Sequence, residues 1–92
     1  MNLNEMINNA SSTVVDVRSP GEFAGGNVPG SINIPLDEVQ SRLEEIKELS
    51  RPIILCCASG NRSGMALGFL VSEGLEDVYN GGGYTDVLIH KM

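Results

Sequence analysis

Two kinds of segment alternate along the 92-residue chain. Short runs rich in β-branched and aliphatic residues read as strands: TVVDV (13–17), SINI (31–34), PIILCC (52–57) and EDVYN (76–80). PIILCC is the most apolar of them and is the expected centre of a sheet. Between the strands the period lengthens to that of a helix. Ser19, Pro20 and Glu22 form a capping-box start for a brief helix. Pro35 closes the second strand, and Asp37 is expected to cap a helix through EVQSRLEEIKELS (38–50). There Val39, Leu43 and Ile46 recur on one face while the glutamates meet water. SGMALGFLVSEG (63–74) predicts a further helix, with Met65, Leu67, Leu70 and Val71 apolar and Gly74 as its stop. The glycines at 81–83 predict a turn into a short C-terminal helix.

Strand followed by helix, four times over, predicts parallel βαβ units in an α/β fold. A central parallel β-sheet of four to five strands would carry helices on both faces. Residues 1–92 read as a single domain, long enough to bury a small core. In open sheets of this kind ligands bind beyond the carboxyl ends of the strands. The loop after PIILCC is at such an end.

Charge narrows the classes of function. Twelve acidic against six basic residues leave a net charge of −6, which argues against nucleic acid as a partner. An anionic substrate gains no long-range attraction either, so any anion site must be built from local amides or a single arginine. No apolar run approaches the roughly 18 residues of a membrane span, so no membrane partner is expected. The N-terminal MNLNEMINNA has neither the basic cluster nor the apolar core of a secretory signal, and the default location is cytoplasmic. Two adjacent cysteines and one histidine supply neither a disulfide framework nor the ligand spacing of a metal site.

The chemistry concentrates in LCCASGNRSG (55–64). Either cysteine can be counted as a nucleophile closed off by Arg62. From Cys57 the pattern C-x-x-G-x-R sets Gly60 in place, whereas from Cys56 the glycine position holds Ser59. Cys56 also falls inside the strand run, where a buried thiol is inert. Cys57 marks the strand-to-loop junction. Ala58, Ser59, Gly60 and Asn61 can curl their N–H groups around its sulfur as an anion nest. The helix from residue 63 then turns its positive end toward the same point, and Arg62 adds a cation, all favouring the thiolate. A strand ending in two buried cysteines, with the loop a mere turn, is the alternative.

The segments VVDVRSPGEFAGGNVPGSINIP (14–35), CASGNRSG (57–64) and VYNGGGY (78–84) together resemble a single-domain rhodanese, a sulfurtransferase. That resemblance spans residues 13–86. It implies a rhodanese-like α/β fold and a cysteine that carries sulfur as a persulfide, with Cys57 in the matching position. A small sulfane-sulfur donor such as thiosulfate, or a persulfide or polysulfide, would load Cys57 and release sulfite or its counterpart. Cyanide, a thiol or a protein acceptor would then take the sulfur. Neither a metal nor an organic cofactor is implied. The loop from Cys57 to Arg62 has six residues, whereas phosphatases and arsenate reductases of this fold have one more and admit a tetrahedral oxyanion. A sulfur-relay or regulatory module that binds a partner without turning over thiosulfate is the alternative within the family.

The chain departs from the family in places. Asn27 stands where histidine is common, and is expected to be structural because an amide carries no proton. Val87 replaces a tryptophan, and MNL supplies little of a first edge strand. Asp16 and Arg18 follow the family's D-x-R and read as a fold-holding pair, the alternative being a charge beside the loop. Arg62 is expected to contact substrate or to brace loop carbonyls. Ser63 is read as a helix cap, with a hydrogen bond to sulfur as the alternative. The glycines at 81–83 make a tight turn or leave room near the pocket. Met65 and the other helix methionines are expected in the core, and His90 at the surface.

Overall fold

The structure, a computed structural model, describes residues 2–92. The β-branched runs form β1 (Thr13–Asp16), β2 (Ile32–Asn33), β3 (Ile53–Cys57) and β4 (Val78–Gly83). They make one four-stranded sheet in the order β2-β1-β3-β4, and every pairing is parallel. β3 pairs on both edges and is buried along its whole length, as its unbroken apolar sequence requires.

Side chains along β3 alternate between two cores because a strand repeats every two residues. Ile53, Leu55 and Cys57 join Val15, Val17, Ile46, Ala66 and Leu70 on one face. Ile54 and Cys56 join Met6, Ile7, Val14, Val28 and Val87 on the other. The first core is closed by α3 (Leu43–Lys47) and α4 (Asn61–Ser72), the second by α1 (Leu3–Asn8) and α5 (Tyr84–His90). Each fully buried Ile or Leu contributes about 1.5–3 kcal/mol of transfer free energy. Helices therefore cover both faces, and the two adjacent cysteines point in opposite directions.

A short helix, α2 (Pro20–Ala24), follows β1 with its capping box formed. Ser19 Oγ accepts from Glu22 N at 3.3 Å, and Ser19 N donates to Glu22 Oε1 at 3.1 Å. Elsewhere the expectations need correction. The single helix expected over 38–50 is two pieces, a 3₁₀ turn (Leu36–Glu38) and α3, and Asp37 caps neither. The turn starts where it does because Leu36 N is tied to Val17 O at 3.0 Å, beyond the end of β1. Val39 and Ile46 still reach the core. At the N-terminus Asn2 caps α1 through Glu5 N, so the weak MNL segment starts a helix rather than a strand, Met1 being outside the described residues. The glycines at 81–83 complete β4 instead of forming a turn.

Met65 is 62% exposed and not a core residue, while Met6 is buried. The buried stripe of α4 is Ser63, Ala66 and Leu70, so Met65 and Val71 turn outward. His90 is half-buried, and Asn4 and Asn8 bond to its Nδ1 and carbonyl oxygen, tying α1 to α5. Among the described residues no helix is long and apolar enough to cross a membrane.

Candidate active site

β3 ends in Cys57, and the chain turns at once into α4. Gly60 makes the turn possible. Its φ of 99° is a left-handed conformation that a Cβ would strain, and that Cβ would lie 3.3 Å from Gly82 Cα. Gly83 approaches the loop just as closely, since a Cβ there would meet Ala58 O at 2.8 Å. Backbone packed on backbone thus holds the loop against the end of β4.

The turn aims donors at the Cys57 sulfur. Gly60 N donates to Sγ at 2.9 Å and Ser63 Oγ lies 3.4 Å from it. Burial pushes the thiol up, and is the largest single influence. Hydrogen bonds from the Ser63 hydroxyl and from the amides of Ser63, Ser59 and Gly60 together outweigh it, leaving a pKa of about 7 against an ordinary 9.0. Cys56 has no such donors. Burial, and then the nearby Asp16 carboxylate, push its thiol up to about 12. Two neighbouring thiols therefore differ in acidity because one peptide step separates a dry core face from a ring of donors.

The helix of the loop starts at Asn61, two residues earlier than the sequence predicts. Ser63 is inside its first turn and fully buried, so it is not the cap. Its hydroxyl reaches Asn80 Oδ1 at 2.8 Å as well as the sulfur. Ala58, Ser59 and Asn61 are exposed, and among the described contacts neither Ala58 nor Asn61 donates to the sulfur.

Arg62 neither touches the sulfur nor braces loop carbonyls among those contacts. It reaches across to α2, where Nη1 and Nη2 meet Glu22 Oε1 and Oε2 at 2.7 and 3.0 Å. The guanidinium, together with the Ser19 bonds, lowers the Glu22 carboxyl to about 2. The only cation of the loop is thus held by a carboxylate at the rim. Beside it an open groove of about 360 Å³ is lined by Val17, Ser19, Pro35, Leu36, Asp37 and Arg62. A larger cleft of about 520 Å³ is at the other end of the strands, between Lys47, Arg51 and the Glu73–Asp77 turn, and no cysteine, serine or histidine lines it.

Asp16 and Arg18 form a buried bidentate pair, Nη2 to Oδ2 being 2.8 Å. Arg18 also donates to Gly26 O at 2.6 Å and lies 3.8 Å over the Tyr84 ring. It joins the end of β1 to the loop after α2 and to α5. Asn27 donates from Nδ2 to Phe23 O at 2.9 Å, holding the last turn of α2. No cluster of three or more potential metal ligands occurs among the described residues.

Asn80 is the residue that sequence reasoning missed. It stands on β4 opposite Leu55, and its side chain bonds Gly60 O, Ser63 Oγ and Gly82 N. The available signal was a polar residue directly before the glycines at the end of the predicted strand EDVYN.

The family description of the rhodanese-like domain matches residues 2–89. The chain is 34% identical over 82 residues to the thiosulfate sulfurtransferase GlpE of Pseudoalteromonas translucida (strain TAC 125), covering 88% of this chain and 77% of that one. It is 34% identical over 79 residues to the thiosulfate sulfurtransferase PspE of Escherichia coli (strain K12), covering 85% and 76%. Similarity to the uncharacterized protein YqhL of Bacillus subtilis (strain 168) is 40% over 67 residues, 73% of this chain and about half, 52%, of that relative. A solved structure of a rhodanese with anions from E. coli superposes with a TM-score of 0.73 at 35% identity, covering 82% of this chain and 89% of that one. Sequence and fold agree along nearly the whole length, and the chain belongs to the rhodanese-like domain family.

Proposed function

We propose that this chain is a sulfurtransferase that carries sulfane sulfur on Cys57. The observation that supports this reading is the convergence of Gly60 N, at 2.9 Å, and Ser63 Oγ, at 3.4 Å, on one sulfur whose pKa is about 7. Thiosulfate sulfurtransferases among the relatives make thiosulfate the first donor to test.

The Cys57 thiolate attacks the outer sulfur of thiosulfate. A sulfur–sulfur bond forms to Cys57, the bond to the sulfonate sulfur breaks, and sulfite leaves with that electron pair. The persulfide keeps one negative charge on its terminal sulfur. Cyanide or a thiolate then attacks that terminal atom, and Cys57 departs again as the thiolate. Amides fixed by the backbone meet the thiolate at Sγ without reorganisation. Cys57 is buried under a loop whose Ala58 and Ser59 face solvent, the side from which a donor would approach. A small thiol or a protein persulfide acceptor fits the same chemistry, and Cys56 takes no part.

Mass spectrometry after incubation with thiosulfate tests the assignment. One added sulfur should map to Cys57, vanish in Cys57→Ser and survive in Cys56→Ser. An adduct that persists in Cys57→Ser refutes it.

A further inference from the structure

The Ser63 hydroxyl has one hydrogen and two neighbours that take it. Cys57 Sγ is 3.4 Å away and Asn80 Oδ1 2.8 Å away. Both cannot be served at once. The amide oxygen of Asn80 can only accept, and it is the end turned to Ser63 because Nδ2 donates to Gly60 O at 3.2 Å. Gly82 N also donates to Asn80 Oδ1 at 2.9 Å, so the oxygen keeps one donor when Ser63 turns away.

We propose that Asn80 is a positioning residue for the sulfur chemistry, steering the single hydroxyl proton of Ser63 between its own Oδ1 and the Cys57 sulfur. This rests on the reading of Cys57 as the nucleophile. With Cys57 a thiol, S–H donates to Ser63 Oγ and Ser63 O–H donates to Asn80. When the sulfur ionises, the Ser63 hydroxyl rotates to the anion and Asn80 retains Gly82 N. In the persulfide the inner sulfur is neutral and the hydroxyl returns to Asn80. It swings back as an acceptor takes the outer sulfur and Cys57 leaves as an anion. Asn80 therefore stabilises the states in which Sγ is uncharged, and Ser63 those in which it is charged.

The charged groups around the pocket have other partners. Arg62 of α4 is held by Glu22 of α2, Asp16 and Arg18 at the end of β1 by each other, and Asp86 of α5 accepts from Gly83 N. Cys56, the other thiol of β3, faces the opposite core. None of them bonds to Asn80 among the described contacts, so Asn80 can reach the sulfur through Ser63 or through Gly60, and a Ser63→Ala background separates the two.

The test is the pH profile of Cys57 alkylation by iodoacetamide in four proteins: wild type, Asn80→Ala, Ser63→Ala and the double variant. Asn80→Ala should move the Cys57 midpoint down by about half a unit to one unit, because the hydroxyl no longer gives up a bond to reach the thiolate. In the Ser63→Ala background the same substitution should leave the midpoint unmoved. An equal shift in both backgrounds, or an upward shift with Ser63 present, overturns the proposal. Should Asn80→Ala not fold, Asn80→Leu fills the same space without the acceptor and is read the same way. Alkylation reports the thiol whether or not sulfur is transferred, so a chain that ionises as described but never forms a persulfide would refute the functional reading and leave this one standing.

Discussion

Ser63→Ala isolates the largest hydrogen-bond contribution to the acidity of Cys57. The lost bond is to an anion, and such bonds are worth about 1.5–3 kcal/mol. Rotation toward sulfur also forfeits the bond to Asn80 Oδ1, a neutral bond of about 1 kcal/mol. The difference, about 1.5 kcal/mol, corresponds to about one pKa unit. Starting from about 7, the midpoint should rise to about 8. The thiolate fraction at pH 7 then falls from about one half to about one tenth, and alkylation slows about fivefold. Following the Cys57 peptide by mass spectrometry from pH 5 to pH 10 gives the whole curve. Normalising each curve to its plateau at high pH removes any change in access past the loop. Cys56, held near 12, should remain unlabelled throughout and serves as an internal control. An unshifted midpoint in a folded Ser63→Ala protein would mean that the amides alone make the thiolate, and the argument from Ser63 would fail.

Glu22→Gln should free Arg62 from its rim partner and lower KM for thiosulfate about two- to fivefold with little change in kcat. An unchanged KM would show that Arg62 does not meet the donor. Asp16→Ala leaves Arg18 buried without its carboxylate and should cost about 3–5 kcal/mol in urea unfolding; a loss below about 1 kcal/mol would contradict the pairing. Gly81→Ala drives a methyl to 2.8 Å from both Ile54 Cγ2 and Val87 Cγ2 and should cost about 1–3 kcal/mol. Gly74→Ala meets open space at a φ of 87°, so it should cost only the backbone strain, about 1–2 kcal/mol. A loss below about 0.5 kcal/mol at 81 would refute the packing argument.

What the sequence made legible depended on how local the signal was. The capping box of α2 and the run of β3 carry their own causes, in a side chain three residues away or an unbroken apolar string, and both form as read. The segment 36–50 carries a helical spacing that two short pieces satisfy equally well. The first piece begins at a distant bond, Leu36 N to Val17 O, which no local pattern contains. In α4 the inward stripe includes Ser63, so ranking positions by apolarity put Met65 inside. The serine turns inward, where its hydroxyl meets the Cys57 sulfur and Asn80 Oδ1. At the site itself, the position of Gly60 pointed to Cys57, and it is Cys57 that meets the loop's donors while Cys56 faces the opposite core. The attachment of Arg62 to Glu22 and the reach of Asn80 under the loop depend on contacts across 40 and 20 residues of chain, and spacing carries no trace of them.

A consequence follows from how the sulfur is held. The only histidine, His90, bonds to α1 and is not among the donors to Cys57, and no lysine is among them either. A general base would impose its own titration on the reaction, whereas amide dipoles and a hydroxyl have none near neutrality. The sign is that of a depressed acid. The folded chain favours the thiolate increasingly as pH rises through about 7, an advantage complete only above the ordinary thiol value and absent below the folded one. With twelve acidic residues against six basic, the surrounding field opposes an anion at the sulfur. Charge at long range works against the thiolate, and hydrogen bonds at about 3 Å favour it.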